Sequence, residues 1–172
     1  MTCGGWAMTA ALFAALAAAF GPGVLPYLAL QAALGVTLLE VVNYLEHYGL
    51  LRQKTAAGRY EGCLPRHSWN SNTAASNVLL YHLQRHSDHH ANPTRRYQAL
   101  RHVDEAPQLP TGYAGMIVLA CFPPLWRRVM DRRLLEHFGG DVTRANIHPR
   151  KRAKVLAKYG GGGGARPREA AA

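Results

Sequence analysis

Charge is missing from the start of this chain: residues 1–39 contain no Asp, Glu, Lys or Arg. Histidine is missing for longer, the first being His47. Cysteine is scarce, with only Cys3, Cys63 and Cys121, and no Cys-x-x-Cys pair among them. That spacing excludes a thiolate-rich metal ribbon, and the odd count fits a reducing compartment better than a secreted disulfide scaffold. Met1 to Gly5 carries no positive charge and a second apolar stretch follows closely, so the N-terminus does not read as a signal peptide. No internal repeat is present.

What is there is divided in two. The chain has 172 residues, about one domain's worth, and 48% are hydrophobic. All 20 basic residues lie between Arg52 and Arg168, so the net charge of +10 belongs to the later part. An uncharged apolar block followed by a basic block is a membrane-protein pattern; a soluble nucleic-acid binder has no use for 39 uncharged residues at its start.

The pattern predicts an all-α membrane protein. Cys3 to Phe20 is one apolar run, Gly21-Pro22-Gly23 breaks it, and Val24 to Val42 is a second, interrupted only by Gln31, Thr37 and Glu40. A helix needs roughly 20 residues to cross a ~30 Å hydrocarbon layer, so both runs are expected to span, over about 3–20 and 24–46. Residues 1–50 thus form a transmembrane helical hairpin, and 51–158 a helical, histidine-bearing cap. The basic excess after Leu51 puts the cap on the cytoplasmic side. Within the cap, 52–68 reads as a polar loop, Asn77 to Ala91 as one helix ended by Pro93, and 104–112 as a turn-rich connector. Tyr113 to Trp126 reads as an interfacial or core helix too short to span, followed by a cationic edge at Arg127, Arg128, Arg132 and Arg133 suited to anionic headgroups. The Gly-rich tail 159–172 reads as disordered.

Two stretches carry chemistry. In Leu83-Gln84-Arg85-His86-Ser87-Asp88-His89-His90, a helix puts His86, His89 and His90 on one face. Three imidazoles on a face can bind one metal or two neighbouring ones; imidazole alone does not distinguish iron, zinc, copper and nickel. The bland reading is a surface histidine cluster. The second stretch, Glu40 to Leu50, lies where the second apolar run ends. Glu40, Asn43 and His47 fall at spacings of three and four, so His47 can serve as a ligand with Glu40, Asn43 or Glu46 orienting it. Ordinary interfacial residues at a helix end would look the same.

Taken together, the two stretches resemble a family. Asn43-Tyr44-Leu45-Glu46-His47-Tyr48-Gly49-Leu50 is similar to the His-Tyr-Gly motif of integral-membrane alkane 1-monooxygenases, within the membrane fatty acid desaturase and hydroxylase superfamily. Leu83 to Ala91 is similar to that family's third histidine box. The likeness continues through His67-Ser68-Trp69-Asn70-Ser71-Asn72, Pro93 to Gln98 and Pro107 to Tyr113, covering about residues 38–133. The resemblance implies a non-haem di-iron centre with His47, His86, His89 and His90 among its ligands; beside it, the residue reading takes Glu40, Asn43, Glu46, His82 and Asp88 as supporting positions. His67, His102, His137 and His148 receive no ligand role. It implies oxidation of the terminal methyl group of an alkane to a primary alcohol by dioxygen, with electrons from rubredoxin and its reductase, in a bacterial-type inner membrane. None of the Glu-x-x-His motifs of soluble carboxylate-bridged di-iron bundles is present.

The family's first two histidine boxes precede the His-Tyr-Gly motif, and this chain has no histidine there. It is therefore expected to be a C-terminal portion, with the remaining iron ligands supplied elsewhere. The alternatives are an inactive remnant, a membrane-anchored basic binding module, or a related hydroxylase or desaturase of another lipid-like substrate. Expressed in membranes with rubredoxin and its reductase, the 172-residue chain alone is predicted to make no octanol or hexadecanol; product above background would overturn this.

Overall fold

A computed structural model describes residues 3–160, with the side chain of Cys3 left aside; the rest of the Gly-rich tail lies outside the described residues. The described part is helical, with two isolated β-bridges and no strand. It divides into two compact units, residues 1–41 and 42–172.

The N-terminal unit follows the apolar pattern. Helix α1 runs Cys3–Phe20 and α2 runs Val24–His47, joined where Gly21 takes a left-handed turn at φ 81°. Only α2 is long and apolar enough to cross a bilayer among the described residues; α1 is shorter. Helix α1, with 18 residues, is about 27 Å long at 1.5 Å per residue, close to the thickness of a ~30 Å hydrocarbon layer. Leu25, Leu30, Leu34, Leu38 and Leu39 of α2 are all exposed. A helix apolar on every side and uncovered by protein has the surface that lipid tails solvate.

In the second unit, the end of α2 is followed by α3 (Ala74–Leu79), α4 (His86–Ala91), α5 (Tyr113–Ala120), α6 (Pro123–His137) and α7 (Pro149–Tyr159), with 3-10 turns at Pro65–His67, Tyr97–Ala99 and Val142–Arg144. Two expected helices are divided. The predicted Asn77–Ala91 helix ends at Leu79 and resumes at His86. Between them Tyr81 and His82 take positive φ values of 50° and 61°, an uncommon conformation for such side chains. Tertiary ties outweigh the local preference there: the buried Gln84 side chain donates to the Thr73 carbonyl, and Arg85 to the Leu100 carbonyl. The predicted Tyr113–Trp126 helix breaks at Cys121 and Phe122, and Pro123-Pro124 opens α6, where a first-turn proline forfeits no helical hydrogen bond.

The core gathers Leu45 from α2, Trp69, Leu109, Tyr113 and Met116 from α5, and Trp126 and Met130 from α6. Trp126 packs against Tyr44 and Tyr48, with ring centroids 5.1 and 5.3 Å away. After α2 the chain turns at Gly49, φ 69°, the left-handed position that commonly closes a helix. A Cβ there would also lie 2.2 Å from Leu134 Cδ2. Gly49→Ala should therefore cost about 1–2 kcal/mol in backbone strain before any repacking of Leu134. Urea unfolding in detergent, followed by tryptophan fluorescence, should show a lower midpoint at unchanged slope.

Candidate metal centre

His47 is the last residue of α2, and its imidazole meets two imidazoles of α4. The Nε2 atoms of His86 and His47 are 3.3 Å apart, and those of His90 and His86 2.7 Å. Ligand nitrogens of His47, His86 and His90 all lie within 4.8 Å of one another. The i,i+4 spacing on α4 does bring His86 and His90 together. His89, one residue off that line, is exposed, with its ring 6.1 Å from that of His86 and 5.9 Å from that of His90.

Electrostatics favour metal-ready imidazoles. Burial first, then its neighbours His90, His47 and His89, lower the pKa of His86 to about 3. Burial followed by His47 and His89 also holds His90 below its ordinary value. Both rings are thus neutral near pH 7, the form that donates a nitrogen lone pair. His86 Nδ1 is buried without a hydrogen-bond partner. Three converging Nε2 atoms cannot all satisfy one another, since each neutral ring offers a single N–H. The donor set therefore fits a cation ligated by imidazole.

The surrounding residues set the geometry. Glu46 is buried, with Oε2 3.3 Å from His86 Nε2, while Oε1 accepts a 2.8 Å bond from the Tyr113 hydroxyl. Burial, then the Glu46 carboxylate, push the Tyr113 pKa far up, so its proton stays on. His47 Nδ1 lies 3.4 Å from the His67 carbonyl. Trp69 donates from its amide to the Glu46 carbonyl and from its indole to the Tyr48 carbonyl, each at 2.8 Å. Asn70 clasps the first turn of α4, accepting from the Ser87 amide at 3.0 Å and donating to the Ser87 hydroxyl. Tyr48 donates to Asp131 at 2.6 Å.

Of the expected supporting positions, Glu46 alone reaches the histidines, and it touches His86 rather than His47. Glu40 is exposed on α2 in the N-terminal unit, and Asn43 is exposed at the wall of a cavity of about 690 Å3 that also reaches His47. His82 Nδ1 lies 3.1 Å from the Tyr97 carbonyl, away from the cluster. Asp88 is 2% exposed and points into the chain that follows, accepting from Asn92, Arg95 and the Arg101 amide. Tyr113, Asn70 and Arg95 are structural partners that residue spacing alone did not single out, although all three fall in the stretches that carried the resemblance. A cavity of about 600 Å3 opens against His86 and His89, walled by Leu80, Leu83, Tyr97 and Leu100.

With this geometry in place, the chain belongs to the fatty acid desaturase family, whose model matches residues 2–120. This is a class of non-haem iron enzymes. Among individual relatives, the chain is 58% identical over 156 residues to an alkane 1-monooxygenase of Acinetobacter baylyi, covering 91% of this chain and 38% of that protein. It is 52% identical over 153 residues to alkane 1-monooxygenase 1 of Alcanivorax borkumensis, covering 89% and 38%. It is 61% identical over 111 residues to alkane 1-monooxygenase 2 of Pseudomonas aeruginosa, covering 64% and 29%. The chain thus spans little more than a third of the length of the relatives it matches.

Asp88 offers a test of how α4 is held. Burial works to raise its pKa, but the Arg101 amide and the Arg95 guanidinium outweigh burial and hold the carboxyl below its ordinary value. Its stabilisation is therefore complete above the unfolded value of about 3.9 and fades as pH falls through the lower folded value. Asp88→Ala should cost about 2–3 kcal/mol at pH 7, the scale of a charged hydrogen bond lost from a buried group. Urea melts at pH 7, 5 and 3 should show the wild-type advantage persisting to pH 5 and shrinking at pH 3.

Proposed function

We propose that this chain is the C-terminal part of a di-iron alkane 1-monooxygenase. The observation that carries the reading is the convergence of His47, His86 and His90 in a sequence 58% identical to an alkane 1-monooxygenase across nine-tenths of its length. His47, His86 and His90 would hold iron, and His89, set to one side of that group, would serve a neighbouring iron with ligands from outside this chain. The reaction joins an alkane, dioxygen, two electrons and two protons to give a primary alcohol and water.

Iron, when bound, supplies the oxidising power that a strong C–H bond demands and no side chain possesses. The residues of this chain do the rest. Glu46, held by Tyr113, keeps a carboxylate oxygen 3.3 Å from His86 Nε2, the nitrogen that would face iron, and so would sit beside the cation. An alkane has no polar handle, and apolar walls such as Leu80, Leu83 and Leu100 beside His86 and His89 offer the contacts that can hold it. The histidine-bearing unit would face the cytoplasm as a cap, on the strength of its basic residues. A small acidic electron carrier, rubredoxin, would dock there, with the exposed Arg96 and Arg101 close to the histidine helix in sequence as its attraction.

The test uses the complete, longer protein in membranes. His47→Ala, His86→Ala and His90→Ala should each lower bound iron by tenfold or more and abolish alcohol formation from octane. Iron is measured by mass spectrometry of the purified protein and alcohol by gas chromatography. A membrane-anchored binding module would keep its properties in all three variants, and iron retained in all of them would defeat the hydroxylase reading.

A further inference from the structure

One strongly charged surface takes no part in the histidine site. Arg127, Arg128 and Arg132 of α6 and Lys158 of α7 line a groove of about 640 Å3, and all four are exposed. The two carboxylates at its edge are already engaged. Asp131 accepts from the Tyr48 hydroxyl at 2.6 Å and the Tyr159 hydroxyl at 3.2 Å, and Glu136 accepts from Arg132 at 3.0 Å. Among the described residues, Arg127, Arg128 and Lys158 have no ion-pair partner. Helix α7 contains no acidic residue at all, and Arg150, Lys154 and Lys158 form a stripe at i, i+4 and i+8. Like charges at that spacing repel one another, so the surface gains from an external anion.

Beside the cations lies exposed hydrocarbon. Phe122, just before α6, is 58% exposed, and Leu125 in its first turn is 50% exposed. Cations within a turn or two of exposed apolar side chains suit the boundary between phosphate headgroups and acyl chains. An acidic protein or a free phosphate ion would use the charges and leave Phe122 and Leu125 in water. A bilayer is also at hand, since α2 is long and apolar enough to cross one.

We infer that the α6–α7 groove binds the phosphate of an anionic phospholipid, with Phe122 and Leu125 against its acyl chains. Tyr48 and Tyr159 hold Asp131 at the groove wall, and the four cations there face only two carboxylates, Asp131 and Glu136, so the groove keeps a positive balance for the lipid phosphate.

The experiment uses the whole 172-residue chain in neutral detergent, with native mass spectrometry counting retained phosphatidylglycerol or phosphatidylcholine of the same acyl length. Phosphatidylglycerol should be retained in preference, and each cation removed should weaken it about fivefold. The triple variant Arg127→Gln, Arg128→Gln, Lys158→Gln should thus lose the preference. Arg127→Lys with Arg128→Lys should keep it, and unchanged thermal midpoints exclude misfolding as the cause. Three outcomes would overturn the inference. One is a triple variant that retains phosphatidylglycerol as the wild type does. The second is inorganic phosphate displacing the lipid at equal concentration, which marks a free-anion site. The third is a triple variant that loses affinity for rubredoxin while its lipid retention stays unchanged, which marks a protein dock.

Discussion

The second unit depends on satisfying the backbone of an irregular strip, residues 67–71. An extended segment buried among short helices must find a partner for every amide and carbonyl. It does so on several sides. Trp69 donates to the Glu46 carbonyl at the open end of α2, where the last carbonyls lack helical partners. Asn70 donates to the Pro107 carbonyl and accepts from the Leu109 amide, and Ser71 donates to the Gln84 carbonyl. Those bonds tie together the end of α2, the chain entering α4 and the segment leading to α5. The strip does the work of a sheet, of which there is none among the described residues.

Seen from that strip, the His-Tyr-Gly sequence has three separate physical duties. His47 presents its ring to α4, Tyr48 reaches Asp131 of α6, and Gly49 supplies a left-handed turn against Leu134. A short helix such as α4 is too brief to be stable by its own hydrogen bonds. Asn70 at its start and Asp88 from within hold it instead. The positions of the imidazoles are thus determined by polar clamps on either side of them more than by helix propensity.

Much of this was legible in the residues. The apolar run and its helix end were, because a long uncharged stretch writes its boundaries in composition; α2 ends at His47, where the polar residues gather. The pairing of His86 with His90 was legible as well, since i,i+4 spacing is a property of the helix itself. What could not be read was long-range. Tyr113 and Glu46 are 67 residues apart, and nothing local announces their bond. The break between α3 and α4 contains no glycine or proline; it is imposed by where Gln84 and Arg85 find their carbonyls. Pro123-Pro124 reads as an interruption from one side and as a helix start from the other, and only packing decides.

The hairpin at residues 54–60 has a different kind of consequence. It is exposed, turns at Gly58 with φ 73°, and lies between His47 and the α4 histidines in the chain. Almost every bond that unites those histidines runs through Trp69, Asn70 and Glu46 rather than through this loop. Residues 54–60 bond mainly to one another, and such an exposed loop is where a chain tolerates insertion.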